Sequence, residues 1–337
     1  MANNFYSHTM GTITAFAVLV IIILAAQPVQ AQSSCYARRG YAVSLSPLFG
    51  MVHGRAEEIV YPGGETKAAL LSQLLWDMKP VLYYGVSLDF SQVDPRERWG
   101  FFANLSLKNG IPGISGSMED RDWQSVVNTD LTNYSKHDNH TREMFLLDAR
   151  AGLSFPFRRV MLLKGFVNVS FMRFSFVGMD GYKIYAKPIA KGIYHPIDDN
   201  PDEEALSGKV ISYTQEWLTI SPGVSFGYFF HRNFLAELAF LVSPLVFCTD
   251  LDEHKVLNDQ YRDIMRGGLL IEPGVKLSFA ATKWLGISWE FSWRHISGTR
   301  GATYTRNPIG KGTWVQRGEA GAGLSIINTC LMLTLRL

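Results

Sequence analysis

The chain has 337 residues and a formal net charge of +2, from 32 basic and 30 acidic residues. A charge this close to zero argues against a nucleic-acid-binding protein, which presents a basic surface. Charged residues make up only 18% of the chain, aromatic residues make up 13%, and the mean hydropathy is +0.03. A membrane β-barrel combines these values because an apolar outer belt with aromatic girdles surrounds a polar interior. A bundle of membrane helices would be more hydrophobic.

The N-terminal segment predicts export. Residues 12–26 form one apolar run, and small residues follow at the third and first positions before a cut after Ala31. This pattern predicts a secretory signal peptide over residues 1–31 and a mature chain, residues 32–337, that forms a single barrel domain. Two alternatives stay open. One is an uncleaved anchor, because no Lys or Arg precedes the run, and the other is a lipid on Cys35, whose preceding residues match a lipidation signal poorly.

Strand periodicity dominates the rest of the chain. After Cys35 no segment reaches the roughly 20 uninterrupted apolar residues of a membrane-spanning helix. Apolar and polar residues alternate instead, as in residues 81–90 and in residues 331–337, where every second residue is Leu. Strands with one apolar face are typical of a sheet that meets lipid on one side. Such a sheet must close on itself, because an open edge would leave unpaired backbone groups in hydrocarbon.

Turn signals divide the chain unevenly. Short polar or Pro-containing breaks occur at residues 93–97, 155–159, 230–233 and 281–283. Longer polar segments occur at residues 62–68, 119–142, 187–208, 250–262 and 305–316. Nine connections indicate about ten strands, and alternating short and long connections are typical of outer-membrane barrels. We therefore expect an all-β fold, a closed antiparallel transmembrane β-barrel of about ten strands with short periplasmic turns and long extracellular loops.

Several familiar motifs are missing or misleading. Gly223, Ser225 and Gly227 match the G-x-S-x-G nucleophile motif, but they lie in an alternating run without the following helix that the motif needs. Cys248 and Cys330 lie in apolar contexts and are interpreted as lipid-facing or packed residues. The sequence has no metal-binding spacing of His and Cys, so we expect no metal and no organic cofactor.

Acidic residues and histidine concentrate in two of the long polar segments. Asp120 and Asp122 lie in one, and Asp250, Asp252 and His254 lie in the other. In extended chain every second side chain points to the same side, so each set shares one face. A carboxylate beside an imidazole raises its basicity, and a carboxylate pair can polarise a water. Spacing alone leaves open that these are ordinary solvated loops.

The same segments carry a resemblance to a known family. Residues 58–61 (Glu-Ile-Val-Tyr), 72–76, 118–123 and 250–254 resemble segments of the omptin family of outer-membrane endoproteases. The similarity runs from about residue 43 to residue 337. It implies an enzyme of the bacterial outer membrane whose active site faces the extracellular side.

The resemblance also implies a catalytic set. Asp252 would orient His254, which would act as the general base on a water. Asp120 would bind that water and Asp122 would complete the pair. The water would attack the peptide carbonyl directly, so no acyl-enzyme is expected. Activity would then fall as the pH drops below the imidazole pKa, about 6.5 when unperturbed.

The family's substrate pocket is matched by Glu58 and Asp250. The resemblance implies that they bind a basic side chain, so the expected partners are proteins or peptides cut next to or between Arg and Lys residues. Ser135 and His137 match a further polar stretch of the family, and for them we expect a structural role.

The resemblance also concerns lipid binding. Omptins typically need lipopolysaccharide, and Arg173 matches one of the family's lipid-binding residues. A second family arginine is replaced here by Glu216, and neighbouring polar positions hold Phe171 and Val169. The resemblance therefore leaves open whether lipopolysaccharide or another outer-membrane lipid is required for activity. An inactive omptin-like barrel that acts as an adhesin or binding protein is the main alternative function, and a porin is the third.

Overall fold

A computed structural model describes residues 40–63, 68–93, 99–157, 160–197, 202–231, 233–254, 259–306 and 313–337. The predicted signal peptide, residues 1–31, and Cys35 lie outside these ranges. Within them, no helix has the length and hydropathy needed to cross a membrane.

The described strands form one large antiparallel sheet and a separate small hairpin. They are β1 (Gly40–Val60), β2 (Ser72–Val93), β3 (Gly100–Gly110), β4 (Gly113–Asp122), β5 (Asn133–Phe157), β6 (Met161–Tyr185), β7 (Pro188–Ala190), β8 (Ile193–Tyr194), β9 (Glu204–Ala205), β10 (Lys209–His231), β11 (Phe234–Ser243), β12 (Leu245–His254), β13 (Asp259–Arg266), β14 (Leu269–Ala280), β15 (Leu285–Ser297), β16 (Arg300–Arg306) and β17 (Thr313–Arg336).

Ten long strands close this sheet into a barrel, and we call each of them a stave because some consist of two shorter strands placed end to end. Six staves are continuous, and the other four are the pairs β3/β4, β11/β12, β13/β14 and β15/β16, in which both halves pair with the same two neighbouring staves. Consecutive staves pair antiparallel around the ring, and β17 closes it on β1 from Ser44↔Arg336 to Val60↔Ala320. The predicted all-β barrel of about ten strands is confirmed. The hairpin β7–β8 and the short β9 belong to the long connection between β6 and β10.

The breaks in the four interrupted staves lie at similar levels along the barrel axis. The breaks lie at residues 111–112, 244, 267–268 and 298–299, and we call this level the seam. Gly267 and Gly268 have φ of 81° and 86°, a left-handed conformation that side-chain-bearing residues rarely adopt. At residue 244, a proline has no N–H to contribute to the ladder. Below the seam, the staves run to the four short connections, which we call the short-turn end, and above it they run to the long-loop end.

Between the seam and the short-turn end the outer face is apolar. Phe49 is 53% exposed, Leu331 57% and Leu88 44%, while the alternating residues face the interior. Exposed aromatic side chains ring the short-turn end: Tyr41, Trp99, Phe157, Phe230 and Trp284. An apolar band bounded by aromatic residues is the surface with which a barrel meets hydrocarbon.

Ion pairs fill much of the interior behind this band. Arg294 bridges Glu272 and Asp148, with N–O distances of 2.7 and 3.1 Å, and Lys164 lies 2.7 Å from Glu237. A cavity of about 260 Å³ remains among these charges. Five acidic and five basic residues line this cavity, so they balance: Asp89, Asp148, Glu237, Glu272, Glu290, Lys108, Arg150, Lys164, Lys276 and Arg294.

The strands extend further than their apolar pattern indicated. Most of residues 119–142, 250–262 and 305–316 was expected in loops, but the structure places residues 119–122 and 250–254 in β4 and β12. The loop expectation for the acidic residues was therefore wrong. Above the hydrocarbon both faces of a strand meet polar surroundings, so alternation of hydropathy ends before the hydrogen-bonded ladder does.

Two smaller interpretations can be compared with the structure. Cys248 and Cys330 are both buried in the barrel interior, so they are packed and do not face lipid. Ser225 lies in the middle of β10 and donates a hydrogen bond to Glu237 at 2.9 Å, so the G-x-S-x-G match is strand and not a nucleophile turn.

Candidate active site

The predicted site residues lie at the long-loop end, inside the barrel. The outer faces of β13 and β16 carry exposed Arg262, Arg266 and Arg300 at this level, which places it outside the hydrocarbon. The lumen is narrow here because opposite walls touch. Gln215 on β10 donates to the backbone oxygen of Glu57 on β1 at 3.1 Å. The rings of Trp76 on β2 and Tyr213 on β10 stack with centroids 5.4 Å apart.

Four of the predicted carboxylates converge in this lumen. Glu58 projects from β1, Asp120 from β4, and Asp250 and Asp252 from β12. The pKa of Glu58 is raised well above its usual value, first by burial and then by the negative charges of Asp252, Asp250, Asp263 and Asp120. The structure therefore brings together residues that lie almost 200 positions apart in sequence.

Asp250 is held by a chain of polar side chains on β10. The Tyr213 hydroxyl donates to Asp250 Oδ2 at 2.8 Å and accepts from Gln215 Nε2 at 3.0 Å. Trp217 Nε1 donates to Gln215 Oε1 at 2.8 Å. Burial raises the pKa of Asp250, and the charge of Asp263 adds to this, whereas the Tyr213 hydrogen bond opposes it. The chain thus fixes the orientation of a carboxyl group whose pKa stays raised by burial.

Sequence reasoning missed a further carboxylate, Asp263. It lies on β13 directly opposite Asp250 and is only 3% exposed. Burial raises its pKa to about 6, where Asp252 also raises it and a hydrogen bond from Thr303 opposes the shift. The acidic segment was taken to end at Arg262, one residue too early.

Asp120 and Asp122 share the lumen-facing side of β4. Ser72 Oγ lies 3.4 Å from Asp120 Oδ1. Gln124 and Asn133 donate to Asp122 Oδ2 at 3.3 and 3.1 Å. These two donors hold the Asp122 side chain in position.

Asp252 lies on β12 across the lumen from β4, with Tyr213 and Tyr261 as its strand partners. It is almost fully buried and its charge acts on Glu58. For His254 the structure describes only the backbone, which pairs with Ile211 on one side and Asp259 on the other.

Ser135 and His137 form a buried pair on β5, beside Asp120 in the strand register. His137 Nδ1 lies 2.5 Å from the carbonyl oxygen of Asp180, and Nε2 lies 2.9 Å from Ser135 Oγ. Burial lowers the pKa of His137, against the hydrogen bond that its ring donates to the Asp180 carbonyl and the charge of Asp138, so the ring is neutral at pH 7. Because a carbonyl only accepts, Nδ1 carries the proton and Ser135 donates to Nε2. The pair is therefore locked in one tautomer.

Arg173, the predicted lipid-binding residue, lies on the outer face of β6. Its guanidinium contacts Glu143 at 3.2 Å and Glu216 at 2.7 Å. The guanidinium is therefore paired with one carboxylate on each neighbouring strand.

Within the described ranges, no three His, Cys, Asp or Glu side chains are arranged to hold a metal ion.

Comparison with known proteins agrees with the barrel. The crystal structure of the outer membrane protease OmpT from Escherichia coli matches with a TM-score of 0.77 at 18% identity, over 88% of this chain and 97% of that one. OprG from Pseudomonas aeruginosa has a TM-score of 0.37 at 9% identity, over 89% of this chain and 98% of that one. The NalP translocator domain from Neisseria meningitidis has a TM-score of 0.35 at 10% identity, over 97% of this chain and 98% of that one.

The likeness to OmpT establishes a shared fold, and the two lower scores carry no argument. A search of curated protein sequences finds no significant match. The sequence model of the Omptin family matches residues 39–337. The chain therefore belongs to the Omptin family.

Proposed function

We propose that this chain is an outer-membrane endoprotease that hydrolyses peptide bonds next to or between basic residues. The observation that carries the proposal is the meeting of two sets of carboxylates across one narrow lumen. Asp120 and Asp122 project from β4, and Asp252 projects from β12 on the opposite wall, beside a buried acidic pocket. Membership of the Omptin family adds to this observation.

In the proposed mechanism a water molecule is the nucleophile. His254 takes a proton from the water as it attacks the peptide carbonyl, and Asp252 orients His254 and stabilises the imidazolium. Asp120 holds the same water, and Asp122 supports Asp120 from the next inward position of β4. The tetrahedral intermediate then collapses, and the imidazolium gives its proton to the leaving amine. No bond to a protein side chain forms, so no acyl-enzyme accumulates.

Glu58 and Asp250 supply the proposed specificity for a basic side chain. Both carboxylates are buried, and burial together with neighbouring negative charge raises the pKa of each. A cationic side chain entering between them would remove part of that repulsion and favour the ionised forms. The pocket therefore binds Arg or Lys more strongly than a neutral residue.

The barrel is proposed to present this site to the cell exterior. Short connections at one end and long connections at the other match the asymmetry of outer-membrane barrels, whose longer loops are extracellular. The site lies at the long-loop end, so substrates would approach from outside the cell.

A cleavage assay on the refolded mature chain tests the proposal. The substrate is a quenched peptide with an Arg-Arg centre, compared with an Ala-Ala peptide of otherwise identical sequence, with and without lipopolysaccharide. We expect cleavage between the arginines and a loss of about a hundredfold to ten-thousandfold in His254→Ala, the range for removal of a general base. Glu253→Gln, on the opposite face of β12, is the matched control and should retain activity.

Two results would contradict the proposal. Undiminished cleavage by His254→Ala would exclude the proposed base. A correctly folded barrel that cleaves neither peptide under any lipid condition would favour the alternative, a binding protein or adhesin with the omptin fold.

A further inference from the structure

The proposed basic pocket contains three buried carboxylates instead of two. Asp263 lies opposite Asp250 in the β12–β13 ladder, and both face the lumen toward Glu58. Directly opposed residues in an antiparallel pair have Cα atoms about 4.5–5.5 Å apart, so the two aspartates are immediate neighbours. Each of the three side chains is at least nine-tenths buried.

Two oxygens in this group lack an internal donor. Glu58 Oε2 and Asp263 Oδ1 are buried and have no hydrogen-bond partner among the described residues. The ion pairs found in the described part of the chain also include none that reaches Glu58, Asp250 or Asp263. Burying an acceptor without a donor costs free energy unless a ligand supplies the donor. The two oxygens therefore mark where an incoming cation would donate.

The strands between Glu58 and Asp263 carry small side chains. Ala322 is the strand partner of Glu58 on β17, and Thr303 is the partner of Asp263 on β16. Ala320, two residues from Ala322 on the same face of β17, is also small and buried. Because these side chains are short, they leave room for a long substrate side chain. The charged groups that such a side chain can reach are then the carboxylates.

We propose that Asp263 is a specificity-determining residue that makes this pocket select arginine over lysine. The inference rests on the proposed protease function and concerns the residue just before the cut bond. A guanidinium has five N–H donors in a planar fork and can bridge carboxylates that lie on different strands. An ammonium is a compact charge with three donors and is satisfied by Glu58 and Asp250 alone. The third carboxylate therefore adds contacts for arginine that lysine does not use.

The test measures kcat and KM for two quenched peptides that differ only in Arg or Lys before the cut bond. In Asp263→Asn we expect kcat/KM for the Arg peptide to fall about tenfold to a hundredfold, the size of one lost charge-assisted hydrogen bond. The loss should appear in KM. The Lys peptide should change less than about threefold, a small part of one decade in affinity. Glu253→Gln, on the outward face of the same hairpin, should keep the parent ratio.

The pH profile gives a second readout. The groups facing Asp263 are Asp250, Asp252 and Cys248 from β12 and Glu58 from β1, while β16 contributes the uncharged Thr303. Protonated Asp263 accepts fewer hydrogen bonds from a guanidinium. The parent's Arg/Lys ratio of kcat/KM should therefore rise as the pH increases through about 6, and in Asp263→Asn this rise should be absent.

The outcomes separate the inference from the function on which it rests. A parent barrel that cleaves neither peptide contradicts the protease proposal. A parent that cleaves both, with the same Arg/Lys ratio in Asp263→Asn, overturns the role of Asp263 and leaves the protease intact. Folding of each variant is checked by its heat-modifiable mobility on gels. If Asp263→Asn does not fold, Asp263→Ser decides the question with the same two readouts.

Discussion

At the scale of single residues, the hydroxyl of Tyr213 influences the protonation of Asp250 in the proposed pocket. Its O–H is the side-chain donor to Asp250 Oδ2, and this bond opposes the rise in the pKa of Asp250 that burial causes. Gln215 Nε2 has two N–H donors, and the one that bonds to the backbone oxygen of Glu57 keeps its partner when the hydroxyl is removed. Removing the hydroxyl therefore changes Asp250 more than the surrounding network.

In Tyr213→Phe we expect the pKa of Asp250 to rise further and KM for an Arg-Arg peptide to increase about tenfold at neutral pH, the effect of one lost hydrogen bond to a charged group. A raised carboxyl pKa leaves more of the protonated form at low pH, so the defect should grow as the pH falls from 8 to 5.5. Tyr304→Phe, on the outer face of β16, is the control. A KM equal to that of the parent across this range would contradict the role given to the hydroxyl.

Sequence alone predicted four carboxylates of the acidic cluster, but the fifth, Asp263, could be found only from the strand register. Glu58, Asp250, Asp252 and Asp120 were predicted from sequence as site residues, and all lie in the same lumen. Asp263 could have been found only from the turn between β12 and β13. His254 pairs with Asp259, so four steps back along one strand and four steps on along the other bring Asp250 opposite Asp263. The catalytic roles remain predictions.

At the scale of strands, the alternation of apolar and polar residues indicates where the membrane ends, and the strand itself continues further. β5 continues as hydrogen-bonded strand from Phe157 to Asn133, although residues 133–142 are polar and were expected in a loop. Apolar alternation needs lipid on one side, and above the membrane that requirement disappears. The sequence therefore predicted the number of strands and the order of connections, but not their length beyond the bilayer.

The charged residues on the outer faces of β5, β6 and β10 bear on whether Arg173 binds lipopolysaccharide. Arg173 on β6 is held between Glu143 on β5 and Glu216 on β10, so its guanidinium is already paired with two carboxylates. Lipopolysaccharide phosphates would be repelled by the second carboxylate. We propose that Arg173 does not mediate any lipid requirement of this chain.

Activation by lipopolysaccharide should therefore be the same in the parent and in Arg173→Ala, measured as the ratio of cleavage rates with and without the lipid. Arg266→Ala, an exposed arginine on β13, is the matched control. Activation that is lost in Arg173→Ala and kept in Arg266→Ala would show that Arg173 binds the lipid despite its two acidic neighbours.

For the whole barrel, the buried carboxylates make stability depend on pH in an unusual direction. The pKa of Asp263 is raised to about 6 in the folded state, whereas an unfolded aspartate titrates near 4. Between these values the folded barrel binds more protons, so the contribution of Asp263 to stability increases as the pH falls through 6. His137 acts in the opposite sense, because its folded-state pKa is lowered and its contribution is lost as the pH falls.

Comparing Asp263→Asn with the parent isolates the first effect. The variant should unfold at a higher temperature than the parent above pH 7, with a gain of up to about 3 kcal/mol, since one unit of pKa shift corresponds to 1.36 kcal/mol. The difference should vanish near pH 4, where the parent carboxyl is protonated. Thermal unfolding in detergent at pH 4, 6 and 8 measures it. A difference that is the same at all three pH values would contradict the pKa given to Asp263.

In four of the ten staves, the seam separates changes at the long-loop end from changes at the short-turn end during evolution. Breaks at residues 111–112, 244, 267–268 and 298–299 interrupt the hydrogen-bond ladders between the apolar band and the acidic lumen. Interrupted ladders do not carry a shift of register from one half of a stave to the other. Insertions and deletions in the outer halves of these four staves therefore leave the membrane-facing alternation of their inner halves in phase, so loops and pocket can diversify there while the fit to the bilayer stays constant.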